Sequence, residues 1–514
     1  MKVNSKLREN NSMINLLKLF AAFGLIISLF ACSVDLPLKD KKTSQQWFQQ
    51  GHDNVEQRKL ALIEQQKALK SQLKTGTKAK NVIFVLGDGM GVSTLTAARI
   101  FVGQQQGFLG EEFALSFEQF PHSALIKTYN VDLQTPDSAG TMSALMTGVK
   151  TNEGIISLAE STVRGECNPQ QSLPTLIDLA KAKGKSTAMV TTARVTHATP
   201  ATTYAHSADR NWESDHAMTE QSKNKGCQDI ASQFINSTSG SLDILFGGGR
   251  RHFLPQALGG KRLDQQNLVQ QWQEKGHYVD SSSALLSLSK QAQDDKPWLG
   301  LFSLSHMDYA YQRPAEQPSL QLMTAVALQR LQQNPKGYSL VIEAGRIDHG
   351  HHAGTAYKAL TETQELHETV AWLLTQVDLT ETLIVVTADH SHTLTLGGYP
   401  TRGNPILGEI IGNDSQGHPE DSLNLDQNWQ PYTSLSYRDG PGSIVNAQGD
   451  ERETEERGGR DVYSADYKQV ALVPMDYETH GGEDVALYAI GPMSQLFSGT
   501  LEQHWVFHAL KYSM

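Results

Sequence analysis

The chain is short of cysteine, of positive charge and of long apolar runs. Three cysteines occur in 514 residues, Cys32, Cys167 and Cys227, so at most one internal disulfide can form once the leader is set aside. Lysine and arginine number 44 against 55 acidic residues, a net charge of −11. Bulk charge therefore attracts neither nucleic acid nor an acidic membrane surface. An acidic protein that binds an anionic substrate must invert its field locally, and metal ions do that. The strongly apolar run at 19–31 has thirteen residues, whereas about twenty are needed to span a bilayer. There is no internal repeat and no further candidate membrane span. A Gly-x-Ser-x-Gly elbow is also missing, so a serine nucleophile here would need an activator other than the Ser-His-Asp arrangement.

The leader reads as an export signal. Lys2, Lys6, Arg8 and Lys18 precede the apolar run, the order found in secretory signals. The run ends Leu29-Phe30-Ala31-Cys32, similar to the bacterial lipobox, whose cysteine becomes the lipidated N-terminus; Phe30 is an uncommon occupant there. Residues 1–32 are thus expected to leave the fold, with the protein in the bacterial periplasm or cell envelope. Ser33 after the cysteine favours the outer membrane, and ordinary cleavage to a soluble exported protein is the alternative. In an oxidising compartment Cys167 and Cys227 are expected to pair. Closing their loop of about sixty residues is worth roughly 4 kcal/mol in the chain-entropy model.

Residues 33–78 form a polar linker with a helical stretch at 44–72, whose apolar residues are too sparse for a core of their own. It is expected to pack on the main body or a partner subunit. From Asn81 onward, apolar runs at 82–86, 186–190, 242–246, 339–342, 383–386 and 485–490 alternate with helix-length segments such as 171–183, 319–333 and 356–376. Several of the runs lack polar alternation, as strands buried on both faces do. The rhythm predicts an α/β fold with a doubly wound, mostly parallel central sheet flanked by helices. Ligands then bind beyond the carboxyl ends of the strands. Residues 397–470 are rich in Gly, Asp, Asn, Gln and Pro and read as an insertion near those ends. Within it, the charged run 450–457 reads as solvated surface.

The chemistry-bearing residues fall at those ends. Val-Ile-Glu-Ala-Gly-Arg-Ile-Asp-His-Gly-His-His at 341–352 packs two carboxylates and three imidazoles behind an apolar strand. Asp348 and His352 share one face if the segment is helical, and oxygen from Glu343 and Asp348 beside nitrogen from His352 suits a divalent cation. Asp389-His390-Ser391-His392 follows the next strand, and Glu478-Thr479-His480 precedes the last. A lone histidine is usually a satisfied core or surface group, but three clusters against strands are poorly explained that way. Asp88 sits in the glycine turn Gly87-Asp88-Gly89-Met90-Gly91. Ser138, in Thr135-Pro136-Asp137-Ser138-Ala139-Gly140-Thr141, falls at a predicted helix N-terminus, where amide groups and the dipole favour an anion. The bland role for a serine there is an N-cap. Arg194 to Pro200 and His206 to Trp212 add His197, Thr199 and the fork of Arg210, suited to phosphate oxygens.

Together these motifs resemble alkaline phosphatase, in the family's order, over nearly all of 80–495. The resemblance implies hydrolysis of phosphate monoesters at alkaline pH through a phosphoserine on Ser138. It implies one zinc held by Asp348, His352 and His480, and a second held by Asp88, Asp389 and His390. A magnesium site would use Asp88, Thr199 and Glu343, and Arg210 would grip two phosphate oxygens. It further implies that 397–470 is the crown at a homodimer interface, that the N-terminal helix is an arm on the neighbour, and that Tyr399 reaches the neighbour's site. Cys167 and Cys227 also match animal and some bacterial members. They bracket His197, Thr199 and Arg210, so their disulfide is expected to hold the segment presenting the arginine.

Two departures qualify the likeness. His197 and His349 stand where the enterobacterial type has aspartate and lysine, as in animal and some marine bacterial enzymes. Magnesium prefers oxygen, so this third site is expected to hold magnesium weakly or accept zinc or cobalt. The peripheral calcium site of animal members, matched here by Phe302-Ser303 and Gln317-Pro318-Ser319, lacks two carboxylates and is expected to be absent. Rival readings are a phosphodiesterase of the same superfamily and a non-catalytic phosphate- or metal-binding lipoprotein. A sulfatase is excluded because Ser138 is not followed by x-Pro-x-Arg.

Overall fold

The computed structural model describes residues 43–75, 78–236, 242–291, 294–445 and 461–514. The expected leader with Cys32, and the charged run 450–457, lie outside the described residues. The chain divides into two compact units, Met1–Lys59 and Leu60–Met514. The helix Ser44–Thr75 starts in the first and runs into the second, with Trp47, Phe48 and Val55 exposed along it.

Ten strands build the central sheet of the second unit. In chain order they are β1 (Asn81–Gly87), β2 (His122–Lys127), β3 (Ser186–Arg194), β4 (Ile244–Gly248) and β5 (His277–Val279). They continue with β6 (Trp298–Leu301), β7 (Tyr338–Ala344), β8 (Thr382–Thr387), β9 (Val485–Ile490) and β10 (Gly499–Glu502). The spatial order is β10-β2-β9-β8-β1-β7-β3-β4-β6-β5. Neighbours are parallel except around β9, which runs antiparallel to β8 and β2. The α/β, mostly parallel sheet expected from the apolar runs is therefore present.

The middle of the sheet is buried on both faces, which is why its strands read as continuous apolar runs. Val82, Ile83, Val85, Leu86, Leu340, Val341, Ile342, Leu383, Ile384, Val385 and Val386 are all 0 % exposed; truncating one of the leucines or isoleucines to alanine costs about 2–5 kcal/mol. Register then fixes the site. Leu86 lies opposite Glu343 on one side and Thr387 on the other, and Thr191 lies opposite Glu343. β1, β7 and β8 thus end level, with β3 running two residues further, and the acidic and imidazole residues at those ends converge.

The helix expected at 171–183 is shorter. A turn at Pro169–Gln171 precedes it, and the helix proper is Leu176–Ala182, started by a capping box between Thr175 and Asp178. Ser319 caps Leu320–Leu331, and Ala356–Leu374 is the long helix foreseen at 356–376. A small three-stranded sheet, Leu394–Leu396, Leu435–Gly440 and Ala471–Pro474, bounds the stretch read as an insertion. Ser391–His392 pairs with His480–Gly481 in a two-stranded ribbon, with His480 opposite His392. That ribbon carries His480 back to the strand ends. Cys167 and Cys227 are disulfide-bonded, their Cα atoms 5.8 Å apart.

Candidate active site

Ser138 opens the helix Ser138–Thr147, and its cap is Asp137. The Asp137 carboxylate accepts from Gly140 N at 3.1 Å and Ala139 N at 3.3 Å. The N-cap role open to Ser138 from the sequence is thus taken by its neighbour. The serine hydroxyl is left to meet His390 Nε2 at 3.1 Å. Asp137 also accepts from Gly154 N at 3.1 Å and from Arg210 Nη1 at 2.9 Å. One carboxylate therefore fixes both the start of the serine's helix and the direction of the arginine. Burial raises Asp137's pKa, but Arg210 and the backbone amides outweigh it and hold the carboxyl below its ordinary range.

Asp348 and His352 lie four apart on the helix Arg346–His352. Asp348 Oδ1 is 3.2 Å from His352 Nε2, 3.4 Å from His480 Nε2 and 2.8 Å from His392 Nε2. His352 Nδ1 donates to Glu478 O at 2.6 Å, and His480 Nδ1 to Pro136 O at 2.7 Å. A proton on Nδ1 leaves Nε2 with a lone pair, so two lone pairs face each other across 3.2 Å. They repel unless a proton or a metal cation lies between them and the carboxylate, and such carbonyl-oriented imidazoles are the usual support of a metal ligand.

A second set gathers around Asp88. His390 Nε2 is 3.4 Å from Asp88 Oδ1 and 3.3 Å from Asp389 Oδ2. Asp389 accepts from Gly89 N at 3.1 Å, His390 N at 2.9 Å and Thr141 Oγ1 at 3.1 Å. Both carboxylate oxygens of Asp88 are buried without a hydrogen-bond partner. Burial, then repulsion from Asp389, Asp348 and Glu343, pushes Asp88 well above the ordinary carboxylate range. Burial likewise raises Glu343 to about 8, although Thr191 Oγ1 donates to it at 2.5 Å. Carboxylates crowded together in a dry site are stable when a cation is shared among them. Gly89, at φ 69°, makes the close approach possible; a Cβ there would stand 2.4 Å from His392 Cδ2.

The remaining predicted residues border these sets. Thr199 is fully buried, His197 Nε2 lies 3.3 Å from Arg210 Nη2, and the His197 and His349 rings are 5.5 Å apart. Three contributors had no role assigned from sequence. His392, second in the Asp-His-Ser-His string, bridges Asp348 and Glu478, whose Oε2 is 2.5 Å from its Nδ1. Glu478 carries no sequence signal beyond standing two residues before His480. His306 lies in a loop without strand or motif, and nothing in the chain marked it.

The disulfide borders the arginine segment. Gly165 N donates to Ala208 O at 3.0 Å, Arg164 Nη2 to Asp209 Oδ1 at 3.2 Å, and Ser222 Oγ to Gly165 O at 3.2 Å. Reduction at a temperature where the protein stays folded is expected to weaken affinity for inorganic phosphate severalfold. Unchanged activity and affinity would show that the bond serves stability alone. At the positions matching the calcium site, Ser303 Oγ donates to Ser305 O at 2.6 Å, and the Gln317 amide closes on Asp308 at 2.6 and 2.9 Å. Added calcium is expected to leave the unfolding temperature unmoved; a rise of several degrees would contradict this.

Known proteins align with this picture. The sequence profile of the alkaline phosphatase family matches residues 79–514. The tissue-nonspecific alkaline phosphatase of Gallus gallus is 41 % identical over 512 residues, covering 96 % of this chain and 93 % of its own. An alkaline phosphatase of Gadus morhua is 40 % identical over 467 residues, covering 87 % and 94 %. Among solved structures, the enzyme of the Antarctic bacterium TAB5 superposes with a TM-score of 0.58 at 21 % identity, over 84 % of this chain and 98 % of that one. The cold-active enzyme of a Shewanella species does so at 0.58 and 24 %, again over 84 % and 98 %; these two likenesses speak to the fold. The chain belongs to the alkaline phosphatase family and is a metal-dependent hydrolase of phosphate monoesters.

Proposed function

We propose that hydrolysis proceeds by two in-line transfers, with Ser138 as the nucleophile. The observation that carries this is the serine at the first turn of a helix, 2 % exposed, its hydroxyl directed at His390 within the carboxylate–imidazole sets. The donor sets support two zinc ions, one on Asp348, His352 and His480 and one on Asp88, Asp389 and His390, with magnesium on Asp88, Thr199 and Glu343. When bound, such ions supply Lewis-acid stabilisation of phosphoryl oxygens and lower the pKa of a coordinated hydroxyl or water.

The chain's own residues do the rest. Asp137 aims Arg210 while leaving N–H groups on both Nη atoms for two phosphate oxygens, a bidentate grip suited to the planar fork. The Ala139 and Gly140 amides are committed to Asp137, so the helix N-terminus favours the same anion chiefly through its dipole. The Ser138 oxygen forms a bond to phosphorus as the ester oxygen departs with its electron pair and takes up a proton. Water then attacks the phosphoserine, releasing inorganic phosphate and restoring the hydroxyl. Little recognition is spent on the leaving group, which fits broad use of esters.

The same reading covers the assembly. Residues 33–78 act as an arm, 79–514 as the catalytic domain with a crown at 397–470, and the active form is a homodimer. Tyr399 supports this: it is 95 % exposed at φ 56°, an unusual cost for a large side chain in a lone subunit. The disulfide supports export, and Cys32 is the proposed lipid attachment point. No described helix is long and apolar enough to cross a membrane.

The test is hydrolysis of a chromogenic phosphate monoester beside the matching diester from pH 7 to 11, after chelation and after zinc and magnesium are restored. Alkaline, metal-restored monoesterase activity is expected. Dominant diesterase activity would move the chain to a sister function, and none with metals bound would leave a binding protein.

A further inference from the structure

His306 carries no role in the mechanism, yet it meets two residues that border the site. His197, His306 and His349 each bring a ring nitrogen to within 4.8 Å of the other two. Ring centroids are separated by 5.3, 5.5 and 4.0 Å. The Nδ1 atoms of His197 and His349 are buried without a hydrogen-bond partner, a state that native structures rarely leave unanswered. The three side chains are only partly buried, so an ion has a way in.

The rings are held from three directions. His197 precedes the short helix Ala198–Ala201 after β3, and His349 lies on the helix Arg346–His352 after β7. His306 sits in the loop after β6, pinned on either side: Met307 N donates to Thr192 O at 3.0 Å, and Gly249 N to Ser305 O at 2.7 Å. Two of the three neighbouring guanidiniums are already compensated, and the third, Arg346, stacks on the Tyr309 ring. Arg194 is bidentate on Glu213 at 2.7 and 2.6 Å, and Arg210 is paired with Asp137. Arg194 also presents N–H groups to both nitrogens of His306, from Nη1 to Nε2 and from the backbone to Nδ1 at 3.3 Å. A neutral imidazole has one lone pair and cannot accept both, so the ring is not satisfied by its protein partners.

We propose that His197, His306 and His349 form an all-nitrogen site for a borderline transition cation such as zinc or cobalt. Three imidazoles are a common zinc donor set, whereas magnesium selects oxygen. The site is distinct from the oxygen set of Asp88, Thr199 and Glu343. It extends the metal reading above without resting on the role of Ser138.

The test counts ions. Protein stripped with chelator is equilibrated with cobalt in excess magnesium, and bound cobalt is measured by elemental analysis and by its ligand-field absorption. The wild type is expected to bind one cobalt more than His306→Asn, or to hold its weakest equivalent at least tenfold more tightly. Equal counts and affinities in a variant that unfolds at the wild-type temperature would overturn the proposal. If the variant does not fold, anomalous scattering at the cobalt edge from wild-type crystals decides: a peak among the three rings supports the site, and none there overturns it. Failure of the two-zinc reading would instead remove the tighter equivalents from both proteins alike.

Discussion

Replacing Ser138 with alanine is expected to lower kcat/KM for a phosphate monoester by about three orders of magnitude or more, with metal content unchanged. The serine oxygen is 3.1 Å from His390 Nε2, within the set where Asp88 and Asp389 converge. Removing it deletes the atom that bonds to phosphorus and leaves every carboxylate and imidazole donor in place, His390 losing only its contact with the hydroxyl. Nor should the helix suffer. Asp137 holds the cap through Gly140 and Ala139, and alanine is the better helix former by a few tenths of a kcal/mol. Unfolding temperature should therefore move little. A drop in activity alongside lost metal would mean the substitution had damaged the site. Activity within tenfold of wild type, metals intact, would instead show water attacking the ester directly.

The candidate metal donors were legible in sequence because most lie within or a few residues past a buried strand. The ends of β1, β7 and β8 lie level in the sheet, so Asp88 after β1, Glu343 in β7 with Asp348 after it, and Asp389 after β8 come together. What could not be read was pairing without local pattern. β2, β5, β6 and β10 lay outside the expected runs: β5 has three residues, β6 and β10 have four, and β2 alternates with exposed positions. Strands of three or four residues offer too few positions for a pattern to register, even in β6, where all four are buried. The ribbon pairing His392 with His480 spans nearly ninety positions of sequence, which explains why His392 and Glu478 gained roles only from the fold. His306 became visible only through proximity. Asp137 likewise gained its role from the fold: with the helix starting at Ser138, the cap, the bland role open to the serine, falls to its neighbour.

Asp348→Asn should be nearly as damaging, and for a different reason. The carboxylate is 3 % exposed and one of its oxygens faces three Nε2 atoms at 2.8, 3.2 and 3.4 Å. Burial alone would raise its pKa, but His352, His392 and His480 hold it well below the ordinary range, so it is charged when the protein works. Asparagine keeps the volume and removes that charge. His352 and His480, their Nδ1 protons committed to carbonyls, then share a cation with no anionic partner. One metal equivalent is expected to be lost or bound at least a hundredfold more weakly, and activity to fall by roughly three orders of magnitude. His392 gives an independent readout. It stays anchored to Glu478, which also accepts from Thr393 N at 2.6 Å and Thr393 Oγ1 at 2.7 Å, but loses its second carboxylate. Breaking a buried ion pair from one side costs about 3–5 kcal/mol, so stability should fall even in metal-free protein. A purely structural aspartate would show that stability loss with metal affinity intact; a ligand shows both, and millimolar zinc should restore part of the activity. Unchanged metal stoichiometry and affinity in the folded variant would remove Asp348 from the metal site and shift the burden to His392.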